Sequence, residues 1–112
     1  MVSRGEVWWA EDPDSGRRPF LILSRQVAIP ALNAVIVVPA TRTIRGIATE
    51  VRLGRDDGMP EDCVLSTDNV TLMPKPYFRE RITRLGVDRM SDVCAALAIA
   101  TGCGSSAARA VR

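Results

Sequence analysis

The sequence predicts a mainly β domain of the α+β class: a small, strongly curved sheet or part-open barrel followed by one C-terminal helix. Three observations lead there. Short apolar runs rich in β-branched and aromatic residues recur at regular spacing. Clusters of Gly, Pro, Asp and Ser separate them. A final segment places apolar residues three and four apart. The 112 residues suffice for one domain and not for two.

The elements follow in chain order. Arg4-Gly-Glu-Val-Trp-Trp-Ala-Glu11 reads as a strand, and Asp12-Pro13-Asp14-Ser15-Gly16 as a loop. Arg18 to Ser24 is an apolar run bounded by turn residues, a buried strand with Pro19 at its beginning, where a missing N–H does least harm. Arg25 to Asn33 contains Pro30 and suits a turn or short helical piece. Ala34-Val-Ile-Val-Val38 is the clearest strand, and Pro39 is expected to end it. A basic loop, Thr41 to Gly46, leads to an alternating strand, Thr49 to Leu53. Gly54 to Pro60 is a polar loop with the turn pair Asp57-Gly58. Cys63 to Ser66 and Arg81 to Leu85 begin two further strands.

Val87, Met90, Val93, Cys94, Leu97 and Thr101 form one apolar helical stripe. Asp88 and Asp92 suit the positive end of the helix dipole, and Gly102 is a natural stop. The ordered domain should therefore span residues 1–103. Residues 104–112, small, polar and basic, are expected to form a disordered tail.

Composition excludes several chemistries. With no histidine, Ser-His-Asp and Cys-His hydrolysis and a two-histidine ribonuclease scheme are all impossible. Three cysteines without paired spacing argue against a disulfide framework, and zinc would lack its usual ligands. Cys63 and Cys94 are expected to be small buried hydrophobes, and Cys103 to be exposed. No Walker A or GxGxxG pattern supports nucleotide binding. No metal or cofactor is expected. The longest apolar runs are too short for a bilayer and no signal peptide is visible, so the expected location is cytoplasmic, with no membrane association.

The net charge of +2 is too mild to diagnose nucleic-acid binding. Its make-up says more: Lys75 is the only lysine, so the positive charge is almost all arginine, whose planar fork suits phosphate. A GC-rich genome would produce the same bias. What remains is arginine, hydroxyl and carboxylate chemistry, and two places offer it. Gly16-Arg17-Arg18-Pro19 stands at a loop–strand junction, and Pro39-Ala40-Thr41-Arg42-Thr43-Ile44-Arg45-Gly46 follows a buried strand. Each also reads as a basic turn kept soluble by arginine.

Taken together, five segments give these places a sharper meaning. Arg4-Gly-Glu-Val-Trp-Trp opens the chain. Arg18-Pro-Phe-Leu-Ile-Leu-Ser24, Val37-Val-Pro-Ala-Thr41 and Ser66-Thr-Asp-Asn-Val-Thr-Leu72 follow in order, and Arg81-Ile-Thr-Arg-Leu-Gly86 leads into the final helix. In this order and spacing the chain, from about Arg4 to Cys103, resembles the MazF/PemK toxins of type II toxin–antitoxin systems. The resemblance implies an SH3-like, CcdB-like barrel, usually a homodimer. It implies a sequence-specific, metal-independent endoribonuclease that cuts single-stranded RNA by 2′-OH attack, with Arg18 and Thr41 at the active-site positions. A MazE-like antitoxin, acidic and partly disordered, is the implied partner.

Beside those two residues, Arg17, Arg42 and Arg45 are candidates for RNA backbone contacts and Asn69 for a base edge. Trp8 or Trp9 would stack on a base; alternatively one faces the core and the other a dimer interface, since neighbours on a strand face opposite ways. In one respect the chain departs from the family. The first loop is short and lacks the Gly-Ser-Glu-Gln stretch common there, leaving Asp14 as the possible acidic helper and substrate preference open. Two other readings compete. A gyrase poison of the same fold would act through its C-terminal helix, and a plain SH3-like binding module would need an exposed aromatic groove, for which aromatics at 4% are scarce.

Overall fold

The computed structural model describes residues 1–104; the tail expected over 104–112 lies outside these, Gly104 apart. Seven strands and one helix follow in the order β1 (Glu6–Asp12), β2 (Gly16–Ile22), β3 (Ala34–Thr41), β4 (Glu50–Leu53), β5 (Cys63–Ser66), β6 (Thr71–Pro74), β7 (Phe78–Arg84) and α1 (Val87–Thr101). The segment Gln26–Ala31, expected as a turn or short helical piece, is a 3-10 helix.

The strands pair antiparallel in the order β4-β5-β3-β2-β1-β7, with β6 branching from β3. The end strands β4 and β7 do not pair, so the curved sheet stays open. β3 is the hub. It pairs with β2 at Val37–Pro39, with β6 at Ala34–Val37 and with β5 at Ala40–Thr41.

This arrangement corrects one expectation: β3 does not end at Pro39 but runs through it to Thr41. The missing N–H falls where β3 changes partners, after β6 ends at Val37 and before β5 begins at Ala40, so it interrupts neither of these ladders. The strand β6 carries no strand expectation at all. It is short, and Leu72 on it is exposed opposite Ile36 of β3.

The central strands are buried on both faces, which is why they read as continuous apolar runs. On one face Val7, Leu21, Val38, Ala40 and Leu65 pack with Val93 and Ala96 of α1. On the other, Ala10, Phe20, Ile22, Val35 and Val37 pack with Ile29 and Met73. Burying a Val, Leu or Ile side chain contributes about 1.5–3 kcal/mol, so the doubly covered β2 and β3 anchor the fold.

The helix keeps its expected bounds, ending at Gly102 with φ +72°. Its phase differs. Met90, Val93, Ala96 and Leu97 face the sheet, whereas Val87 is exposed, as is Cys94. Cys94 is therefore not a buried hydrophobe. It lies on the flank of the helix, 3.7 Å from Nη2 of Arg4. Cys63 is buried and Cys103 exposed, as expected.

The opening Arg4-Gly5-Glu6 turns out to be structural. Gly5 takes φ +89° and bonds through its backbone to Ile22 and Leu85. The Arg4 guanidinium donates to the Leu23 carbonyl. The buried Glu6 carboxylate accepts the Ser3 N–H at 2.8 Å, Trp8 Nε1–H at 3.0 Å and Arg81 at 3.2 Å. Burial alone would raise this carboxyl, but the three donors outweigh it and hold it below its ordinary value.

Candidate active site

A cavity of about 550 Å³ opens where β2 begins and β3 ends. The open ends of the two strands create it. Their ladder stops at Phe20 and Pro39, after which β3 swings away to pair with β5. Arg18 lies two residues beyond Phe20 on β2, and Thr41 two residues beyond Pro39 on β3, so strand alternation gives both the same face. Both line the cavity.

The Arg18 side chain is exposed and makes no hydrogen bond or ion pair among the described residues. Its guanidinium is thus available to an incoming phosphate. The Thr41 hydroxyl oxygen accepts the Thr43 N–H at 3.2 Å, a local turn that orients it. Its own proton remains free to donate.

Arg17, the preceding residue of β2, also lines the cavity but is engaged. Its Nη2 is 3.3 Å from Glu80 and its Nη1 3.5 Å from Glu11, and the guanidinium lies 4.9 Å from the centre of the Trp9 ring. Trp9 stands on the cavity wall. Trp8 points the other way, against the core, with its ring edge-on to Phe78 at 6.3 Å. The two tryptophans are thus separated as alternation requires, with Trp9 on the candidate site.

Arg42 also lines the cavity, where Nη1 is 3.4 Å from the Glu61 carboxylate. The fold does not bring the remaining candidates to the cavity lining. Arg45 is exposed in the following loop, where its N–H donates to Glu50. Asn69 sits on the 3-10 turn Thr67–Asn69 with its amide donating to Ser66 Oγ at 2.8 Å. Asp14 is at the tip of the β1–β2 hairpin, its N–H bonded to Asp12.

The opposite wall escaped sequence reasoning. Met59, Pro60 and Glu61 come from the β4–β5 loop and Cys63 from the start of β5, a segment that crosses to the β2–β3 opening only in the folded chain. The loop is held down by Asp57, which accepts the Gly54 N–H at 3.0 Å and Arg89 Nε–H at 2.9 Å. Cys63 forms part of the cavity floor. Its burial, together with the charges of Asp57, Asp62 and Glu61, pushes its thiol up, so it stays protonated and a poor nucleophile. No cluster of three or more metal-ligating side chains occurs among the described residues. Nor is any helix there long and apolar enough to cross a membrane.

A small open antiparallel sheet with one packed C-terminal helix is the fold of the MazF-like proteins. The family model of the PemK-like, MazF-like toxins of type II toxin–antitoxin systems matches residues 3–101, and the chain belongs to this family. It is 43% identical over 103 residues to a probable endoribonuclease MazF2 of Mycobacterium tuberculosis, covering 91% of this chain and all of that protein. A probable endoribonuclease MazF5 of the same organism is 42% identical, over 92% of this chain and 95% of its own. A mycobacterial endoribonuclease solved in complex with its cognate antitoxin superposes with a TM-score of 0.84 at 28% identity, over 94% of this chain and 99% of that one. These relatives are named as endoribonucleases, and none of them supports the gyrase-poison reading.

Proposed function

We propose that this chain is a cytoplasmic toxin that cuts single-stranded RNA at defined sequences without a metal ion. The observation that carries the reading is the convergence of the unpaired Arg18 guanidinium and the Thr41 hydroxyl on one cavity. The ribose 2′-oxygen attacks the adjacent phosphorus while the P–O5′ bond breaks, leaving a 2′,3′-cyclic phosphate and a 5′-OH. Arg18 stabilises the charge that gathers on the phosphate oxygens, and Thr41 donates to the same phosphate and positions it. Arg42 contacts the RNA backbone at the rim, and Trp9 offers a face for an unpaired base. Arg17, which lines the same cavity, adds to this contact, and Arg45 and Asn69 extend it outside the reacting centre. A homodimer and an acidic, MazE-like antitoxin laid over the basic opening complete the assembly, in keeping with the antitoxin complex of the mycobacterial relative.

Incubating the wild type and Arg18→Ala with a long single-stranded RNA in EDTA, then mapping the new ends, tests the reading. Cutting at a few sites, with 5′-OH ends and by the wild type alone, is expected. Cleavage by Arg18→Ala at the wild-type rate, or of a strand with deoxyribose at the cut, overturns it.

A further inference from the structure

The reaction needs a group that removes the 2′-hydroxyl proton. We infer that Glu61 is that group, an inference that rests on the ribonuclease reading above. The chain has no histidine, and a guanidinium such as that of Arg18 offers donors only and makes a poor base. Asp14 does not line the cavity; Glu61 is the one carboxylate among its lining residues.

The neighbouring acids have other tasks. Glu11 and Glu80 hold Arg17, and Asp57 holds Arg89 and the Gly54 N–H. Glu61 alone combines access to the cavity with a partner that RNA can take away. Its contact is a single 3.4 Å ion pair to the exposed Arg42. A backbone phosphate competing for Arg42 releases the carboxylate beside the scissile ribose, so binding at the rim arms the base. Glu61 then takes the 2′-O–H proton as the 2′-oxygen bonds to phosphorus. The departing 5′-oxygen takes a proton from solvent water, and the resulting hydroxide recovers the proton from Glu61, which returns to its starting state.

The test uses single-turnover cleavage of a short RNA by the wild type, Glu61→Gln, Arg42→Ala and the double variant, with affinity measured separately on RNA carrying 2′-deoxyribose at the cut. Glu61→Gln should lower the cleavage rate about 10²–10⁴-fold, keep affinity within about threefold, and abolish the rise of rate with pH on the acidic side. Arg42→Ala should mainly weaken affinity. A Glu61→Gln rate within about threefold of wild type overturns the inference; this threshold lies well below the loss expected for a missing base. So does a loss equal to that of Arg42→Ala with no further loss in the double variant, because Glu61 would then only position Arg42. If Glu61→Gln is active and Arg18→Ala is dead, this inference alone fails. If the wild type cuts no RNA, both fail.

Discussion

Arg18 and Thr41 stand on the same face of neighbouring strands, two residues beyond Phe20 and Pro39, the last pair that β2 and β3 form. Continuing that register would set them opposite each other, but β3 leaves β2 there to pair with β5. The ladder ends, the strands part, and the two side chains flank a cavity instead of closing a sheet.

The pair therefore predicts a graded mutational pattern. Arg18→Ala removes charge stabilisation and should cost about 10²–10³ in kcat. Arg18→Lys should restore only part of it, since a point charge cannot reproduce the planar fork. Thr41→Val keeps the shape and removes one donor to a charged phosphate. It should cost about 1.5–3 kcal/mol, or roughly 10- to 150-fold in kcat/KM, and Thr41→Ser should recover most of it. Steady-state cleavage of a fluorogenic RNA would measure the series. Equal activity of Thr41→Val and wild type would remove Thr41 from the site.

The far wall of the cavity depends on Gly58. This residue takes φ +88°, and a Cβ there would lie 2.8 Å from Thr83 Cβ, whose hydroxyl is bonded to the Asp57 carbonyl. Gly58→Ala combines left-handed strain with overpacking and should destabilise by about 2–4 kcal/mol. Gly46→Ala, at φ +71° in open space, carries the strain alone and should cost about 1–2 kcal/mol. Urea unfolding of the two variants would compare them, and a Gly58 loss no greater than the Gly46 loss would contradict the packing argument.

How much of this was legible in the sequence depended on how local each signal is. The β-branched run of β3, the turn residues Asp12 to Gly16 and the stop at Gly102 act over a few residues, so they located their elements. The helix phase is a tertiary property. Val93 and Cys94 both satisfy a three-to-four spacing, and only the sheet decides that Val93 faces inward while Cys94 lies on the flank. β6 was missed because its pairing with β3 joins residues far apart in sequence and leaves Leu72 exposed. Arg18 and Thr41 are singled out as candidates by the pattern of the family resemblance. Glu61 belongs to no such pattern, and only the folded β4–β5 loop brings it to them.

That loop also ties the site to acidity. Burial would raise the Asp57 carboxyl, but the Gly54 N–H and the Arg89 guanidinium outweigh it and hold it below its ordinary value. Glu6 is lowered in the same net sense. In both cases the unfolded chain binds the proton more tightly than the folded one. Their contribution to stability is complete above the unfolded values, about 4 for such groups, and is lost as pH falls through the lower folded values. Thermal unfolding should therefore show a falling Tm below about pH 4. Asp57→Asn removes the anchor between this loop and α1. It should cost about 1–2 kcal/mol at pH 7, a hydrogen bond to a charged group reduced by the exposure of Arg89. Because protonation removes the same anchor from the wild type, the gap between the two proteins should narrow towards pH 3. A gap that stays constant from pH 7 to pH 3 would show that the Asp57 charge does not hold the loop.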